Sequence, residues 1–312
     1  MRTTELGRTG MELSRIGFGA WAVGGGGYQF GWGAQSDGDS VEAIQRALEL
    51  GVNWIDTAAV YGLGRSERVV GMAIEGLDPR PYVFTKASRV VDANGTIVGN
   101  LTRASIRREL EASLERLGVD AIDLYQIHQP IPDEDIEEGW RALAELKDEG
   151  LVRHIGVSNF NVEQLRRAQA IATVETLQPP YSLLARQIED ATLPFCRQHR
   201  IGVIAYSPMA SGLLTGAMTA ERVAHLTEDD WRSRDPRFRE PELTRNLELA
   251  ARLSRVGRRH EVSAGAVAVA WVLQQPGVDG AIVGFRDRGQ VDDILSAASI
   301  ELDPAEIAEI ES

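Results

Sequence analysis

Leu124-Tyr125-Gln126-Ile127-His128, then Glu137–Leu146, then Gly150, then His154-Ile155-Gly156-Val157, is the stretch whose reading decides the fold. A short apolar run ends in a polar residue. A segment of period near 3.6 follows, a glycine closes it, and a second apolar run begins. That order reads as strand, helix, strand, with the two strands parallel. The same unit recurs along the chain. Further strands are expected at Ile16–Gly19, Asn53–Asp56, Tyr82–Thr85, Thr176–Gln178, Val203–Tyr206 and Gly280–Val283. Ser40–Leu50, Ser105–Leu117 and Val162–Ala172 carry the helical period, and Gly257–Gln275 contains a strong helix after Val262-Ser263. Gly51 and Gly118 stand, like Gly150, between a helix and the next strand. Eight strand–helix units without a Pro/Ser-rich linker predict an α/β fold, a (β/α)8 TIM barrel. The barrel takes residues 1–312 as one domain, although the length alone suggests two. Thr3–Leu6 and Met11–Ile16 flank Gly7-Arg8-Thr9-Gly10 and predict an N-terminal β-hairpin. An extra helix is expected at the C-terminus.

An open doubly wound sheet is the competing fold. Gly17-Phe18-Gly19-Ala20-Trp21-Ala22 matches its G-x-G-x-x-A turn. The first convincing helix begins only near Ser40, beyond Gly24-Gly25-Gly26-Gly27, so the context that would confirm that turn is missing. No phosphate loop of the G-x-x-x-x-G-K type and no metal-ligand spacing of Cys and His occurs.

The chain has 33 basic and 46 acidic residues, a net charge of −13. With no basic block, that balance argues against nucleic acid or an anionic membrane as partner. The longest apolar stretch, Ala264–Leu273, is about half of the ~20 residues that span a bilayer. Met1–Glu5 has no apolar core and no small-residue cleavage site, so no signal peptide is expected there. Cys196 is the lone cysteine, which excludes an internal disulfide and reads as a small buried apolar residue rather than a nucleophile. A reducing, cytoplasmic setting is the expectation. Of the 33 basic residues 31 are arginine, and only Lys86 and Lys147 are lysine. Lys147 closes a helix, where a cation suits the dipole. Lys86 follows an apolar strand, where a solvated cation does not belong.

In a barrel, chemistry gathers at the C-terminal ends of the strands. Here the second strand runs into Asp56, the third into Lys86 and the fourth into His128; Tyr61 follows Asp56 by five residues. Each alone has an ordinary explanation: a helix cap, a core imidazole, a packing phenol. An acid, a cation, an imidazole and a phenol on one rim form a working set. Tyr is an intact acid at pH 7, and a neighbouring ammonium favours its phenolate. Asp56 can hold Lys86, and His128 can donate to a substrate oxygen. Such a set protonates a carbonyl oxygen gaining negative charge, as hydride reduction requires.

With these residues in place, the sequence resembles the aldo-keto reductases over essentially its whole length. The resemblance rests on Leu6–Gly10, Gly17–Gly19, Asn53–Ala58, Tyr61-Gly62, Ser66-Glu67, Thr85-Lys86 and Ile127-His128. It continues in Gly156–Phe160, Ala205–Pro208 and Gly212–Leu214. The long loop after Pro208 is more similar to the bacterial and potassium-channel-β-subunit branch. The resemblance implies reduction of aldehydes or ketones with NADPH, NADH use being left open. Tyr61 would be the general acid, Lys86 and Asp56 its support, and His128 the group that orients the carbonyl. Ser158, Asn159 and Gln178 would hold the nicotinamide amide, with Tyr206 stacked on its ring. Ala20 and Trp21 would lie beside cofactor or substrate. Ser207, Gly212 and Leu213 would approach the pyrophosphate. Gly284, Arg286, Gln290 and Asp293 would take the adenosine half, with Arg286, and Arg234 as a second candidate, on the 2′-phosphate. Two departures weaken that end: Ala217 where relatives carry Lys or Arg, and Ile294 where they carry Asn.

Trp21, Tyr28, Phe30, Trp32, Gln129 and Met209 are the expected substrate-pocket residues, an aromatic mouth suited to small carbonyl compounds, with no evident carboxylate anchor. Nothing in the sequence sets an oligomeric state. Two other readings stand beside the reductase. One is a cofactor-sensing interaction protein with weak turnover. The other is a barrel lyase or hydrolase, which would want metal spacing or paired carboxylates.

Overall fold

Hydrogen bonding closes eight parallel strands into a barrel in the computed structural model, which describes residues 1–312. In chain order the elements are β1 (Thr3–Glu5), β2 (Glu12–Ser14), β3 (Ile16–Gly19), α1 (Asp37–Glu49), β4 (Trp54–Asp56), α2 (Arg65–Ile74) and β5 (Tyr82–Ala87). Next come β6 (Arg89–Val91), β7 (Ile97–Gly99), α3 (Arg103–Leu117), β8 (Ile122–Ile127), α4 (Ile136–Asp148), β9 (Val152–Ser158), α5 (Val162–Gln169) and β10 (Thr176–Gln178). The last are α6 (Thr192–His199), β11 (Gly202–Tyr206), α7 (Ala220–Ala224), α8 (Glu242–Arg259), α9 (Ala264–Leu273), β12 (Gly280–Gly284), α10 (Arg288–Ile294) and α11 (Pro304–Glu311). The barrel runs β3-β4-β5-β8-β9-β10-β11-β12 and closes β12 back onto β3.

All eight expected barrel strands are present, and α11 is the extra C-terminal helix. The strands read as continuous apolar runs because both faces are covered, one by the helices and one by the barrel interior. Side-chain caps start several of the helices. Ser36 accepts from the Asp39 amide, Thr102 from Ser105, and Asn161 and Asp303 form reciprocal boxes with Gln164 and Glu306. Gly118 ends α3 at φ 66°, a conformation that costs glycine nothing.

The expected hairpin is β1–β2, paired Thr4 with Leu13. It plugs the N-terminal mouth of the barrel. Leu6, Met11 and Leu13 pack on Trp54, Phe84, Leu124, Ile204 and Ile282 in one buried cluster. The Trp54 indole donates to the Ser14 carbonyl at 2.8 Å, and Asn53 exchanges bonds with Ser14. Access is therefore left to the opposite, C-terminal rim.

The helix expected after Val262-Ser263 is α9, capped by Ser263, and α8 runs through Gly257 to Arg259 just before it. Every residue of α9 is buried, so it carries no amphipathic stripe. One element is unforeseen: a hairpin, β6–β7, which extends β5 beyond the rim. Ser88 turns the chain there at φ 82°. Its amide donates to Glu109 of α3 at 3.0 Å, and its hydroxyl donates to the Gln129 carbonyl at 3.2 Å.

Burial pushes the Glu109 carboxyl up to about 7, against hydrogen bonds from Ser105 and the Ser88 amide. Its folded value exceeds the unfolded one, so the stability it contributes is complete below about pH 4.5 and is lost as pH rises through about 7. Glu109→Gln removes that loss. The difference in unfolding free energy between the variant and the parent should shift in the variant's favour by up to about 3 kcal/mol from pH 4 to pH 8. Urea titrations at both pH values measure it, and a pH-independent difference refutes it.

Candidate active site

Strand register brings the rim together. Asp56 ends β4 opposite Phe84 of β5, and Lys86 of β5 lies opposite Gln126 of β8. His128 is the residue just past β8, its amide bonded to the Ala87 carbonyl. Tyr61 sits in the turn before α2. The Lys86 ammonium donates to Asp56 Oδ2 at 2.6 Å and to the Thr57 carbonyl at 2.8 Å, and stands 3.5 Å from the Tyr61 hydroxyl. The pair is sealed: Lys86 and Asp56 side chains are 0% and 4% exposed. The other Asp56 oxygen accepts from Gln178 Nε2 at 2.8 Å. The His128 ring meets the Tyr61 ring edge-on at 5.6 Å, and its Nδ1 is buried with no partner.

The electrostatics differ in one respect from the expectation for a phenol beside an ammonium. Burial, and then the Asp56 charge, push the Tyr61 phenol well above its usual value, so it holds its proton. Burial lowers Lys86, while Asp56 opposes the shift by contact and by charge. His128 is driven well below its usual value by burial, then by the Lys86 and Arg89 charges, so its imidazole is neutral.

A cavity of about 430 Å³ opens over this set. Asp56, Tyr61 and His128 line it, with Lys86 directly behind Tyr61. All six expected pocket residues, Trp21, Tyr28, Phe30, Trp32, Gln129 and Met209, line it too. So do Ser158, Asn159, Gln178, Tyr206, Ser207, Gly212, Gly284, Arg286, Gln290 and Asp293. A hydrogen-bond chain knits part of that wall. Tyr206 donates to Asn159 Oδ1 at 2.9 Å; Asn159 Nδ2 donates to the His128 carbonyl and to Ser158 Oγ; Ser158 donates to the Gln178 carbonyl.

Three expected residues are not brought to the cavity. Ala20 and Leu213 are fully buried behind it. Arg234 is exposed and donates to the Glu228 and Gln29 carbonyls, tying two loops together. Its neighbour Arg232 faces the cavity instead, buried, paired with Asp230 at 2.6 Å and lying 4.7 Å over the Trp32 ring. Local spacing could not separate residues two apart in an irregular loop. The sequence reading also missed Trp231, which stacks on Trp21 at 5.3 Å, and the cavity residues Arg89 and Arg222. The only signal for Arg89 was its place three residues beyond Lys86. Cys196 is fully buried, and burial pushes its thiol up to about 12, as suits an unreactive core residue. Lys147 does more than close a helix: it donates to Glu175 at 2.7 Å.

The glycine run serves close approach. A Cβ on Gly24 would lie 2.7 Å from the Gly62 amide nitrogen, and one on Gly62 would lie 2.3 Å from the Gly24 carbonyl oxygen. The run thus lets its loop lie against the turn that carries Tyr61.

The sequence model described as "Aldo/keto reductase family" matches residues 15–312. The chain belongs to the aldo/keto reductase family. It is 40% identical to the aldo-keto reductase YhdN of Bacillus subtilis, over 94% of this chain and 87% of that protein. It is 34% identical to the NADH-specific methylglyoxal reductase of Escherichia coli, over 98% and 96%. Among solved structures, the glycerol dehydrogenase AKR11B4 of Gluconobacter oxydans superposes with a TM-score of 0.88 at 37% identity, covering 99% of this chain and 94% of that one. An aldo/keto reductase of Klebsiella pneumoniae in complex with NADP and acetate gives 0.75 at 28% identity, covering 99% and 94%. The reductase fold is thus matched from end to end. No helix is long and apolar enough to cross a membrane.

Removing one partner of a buried ion pair strands the other charge. Asp56→Asn should cost about 3 kcal/mol of stability, and adding Lys86→Met should return part of that loss. Urea unfolding of the two single variants and the double variant measures the coupling; strict additivity would show that the pair does not interact.

Proposed function

We propose that this aldo-keto reductase interconverts small aldehydes or ketones and their alcohols by hydride transfer, with Tyr61 as the general acid. NADPH is the preferred cofactor and NADH is accepted. The reading is carried by one observation: a protonated phenol facing the cavity, with a sealed ammonium–carboxylate pair directly behind it.

The cavity wall fits a nicotinamide dinucleotide. Arg222, Arg232 and Arg286 converge at one end, where the charges of the first two act on Arg286 against those of Asp230 and Asp287, and the guanidinium groups suit an anion. Amides and hydroxyls of Ser158, Asn159 and Gln178 line another part of the wall. Arg222 donates to the Ala217 carbonyl, which places a cation beside the position where relatives carry one. A bound nicotinamide supplies or accepts the hydride at the carbonyl carbon. The NADP-bound Klebsiella relative supports the NADPH preference, and the NADH-specific relative supports acceptance of NADH. The glycerol dehydrogenase relative supports working in the oxidising direction as well.

The residues of this chain then act as follows. The neutral His128 imidazole donates a hydrogen bond to the carbonyl oxygen and fixes its position. Tyr61 gives its proton to that oxygen as negative charge develops there. Lys86 stabilises the phenolate that remains, and Asp56 keeps Lys86 charged and aimed. The alcohol leaves protonated, and Tyr61 regains its proton from solvent. A small-molecule reductase of this kind suits a cytoplasmic setting.

Tyr61→Phe keeps the ring and removes the proton. Turnover of an accepted aldehyde should fall about 10³-fold while NADPH still quenches tryptophan fluorescence. Parental turnover in that variant removes Tyr61 from the mechanism. Arg286→Ala should raise KM for NADPH about 10-fold or more and leave KM for NADH within about two-fold, since a charge-assisted bond to phosphate is worth about 1.5–3 kcal/mol. Equal effects on both nucleotides would place Arg286 off the 2′-phosphate.

A further inference from the structure

Arg89 is unlike every other arginine of this chain. Eight others, Arg68, Arg108, Arg141, Arg166, Arg197, Arg200, Arg258 and Arg288, also lack a polar partner for the guanidinium, and all are exposed; Arg89 alone is half-buried and unpartnered. The rest of the arginines find carboxylates or carbonyls, even on the surface. Arg89 finds neither, although the protein has 46 acidic residues and a net charge of −13.

Its place is built. Ser88 is pinned on both sides, by Glu109 through its amide and by Gln129 through its hydroxyl, and the Asn100 amide bonds its carbonyl. The guanidinium carbon lies 5.8 Å over the Phe30 ring. Arg89 lines the cavity, and its charge reaches His128. The phosphate-suited arginines, by contrast, cluster around Arg286. The cavity therefore has a second cationic point, on the side of the reacting groups, with an aromatic face beside it.

Resting on the reductase reading, we propose that Arg89 is a specificity residue that binds a carboxylate on the substrate. The preferred substrates are then aldehydes or ketones that carry a carboxylate on an apolar, ring-sized body. A partly desolvated guanidinium presents a planar fork matched to carboxylate, and the free protein offers it no anion. Phe30, Trp21 and Tyr28 supply flat apolar surface for the body between carbonyl and carboxylate.

The test uses 2-, 3- and 4-carboxybenzaldehyde and their methyl esters, with NADPH and then NADH. The parent should favour at least one acid over its ester by 10-fold or more in kcat/KM. Arg89→Gln should erase that ratio while leaving the esters within about two-fold, and Arg89→Lys should restore part of it. Benzoate should bind the NADPH-loaded parent, read by tryptophan fluorescence, and bind Arg89→Gln at least 10-fold more weakly. Turnover of acids and esters alike, or a ratio unchanged in Arg89→Gln, overturns the carboxylate assignment alone. A weakened NADPH affinity in Arg89→Gln with no change in the acid-to-ester ratio assigns Arg89 to the cofactor and also overturns it. Failure of both nucleotides to reduce any aldehyde overturns the reductase reading; benzoate binding then still decides whether Arg89 is an anion site.

Discussion

The buried Lys86–Asp56 pair is the constraint on which the rest of the site depends. Taking both charges out of water costs several kcal/mol per ion, and their attraction repays that only if every remaining proton and lone pair is also satisfied. The structure meets the condition closely. The ammonium has Asp56, the Thr57 carbonyl and the Tyr61 oxygen around it, and Asp56 turns its second oxygen to Gln178. These groups come from β4, β5, β10 and the turn after β4. A barrel provides that convergence, since adjacent parallel strands end in register on one rim. The pair explains the choice of lysine in a chain that otherwise uses arginine. A guanidinium would need more acceptors than this pocket holds and could not stand as a point charge behind a phenol.

A second buried pair, Arg232–Asp230, does structural work at the cavity edge. It lies in the long irregular segment between β11 and α8 and leans on Trp32. Trp21, Trp32 and Trp231 close on one another at 5.2–5.7 Å, so two loops far apart in sequence share one aromatic joint. Trp21 also lies nearly parallel to Tyr61 at 6.0 Å. The joint thus connects loop position to the Tyr61 phenol. It depends on the glycine run, because any side chain at Gly24 would collide with the turn that carries Tyr61.

The barrel was legible because its strands are apolar on both faces and most of its helices carry an apolar stripe, several of them with a side-chain cap. Period and punctuation together gave the element order. The rim set was legible for a different reason: polar residues that end apolar strands have few ordinary explanations, and Lys86 had fewer still. What stayed hidden lies in irregular backbone. Arg232 and Arg234 are alike in type and two apart, and only the turn at Asp230 decides which faces inward. The β6–β7 hairpin is three residues a strand and carries no alternation long enough to read. The direction of the Tyr61 shift was misjudged by considering Lys86 alone. Burial of the phenol and the Asp56 carboxylate outweigh the ammonium, an outcome that requires knowing how deep the group lies.

The charge balance then acquires a spatial meaning. A surface carrying −13 repels anions in general, yet the groups facing the cavity include arginines at two separate places. Screening in physiological salt confines the surface field to about 8 Å, so the cavity cations act locally on what enters. Lys86 contributes to that interior field as far as His128, and Asp56 balances its charge by direct contact. What is left over is a pair of neutral groups, the Tyr61 phenol and the His128 imidazole, between positive points. In the proposed reading an anionic ligand is positioned by its ends, while the carbonyl oxygen meets an uncharged imidazole and an uncharged phenol. On that reading the separation lets binding energy be spent at the extremities and proton transfer be set by the buried pair.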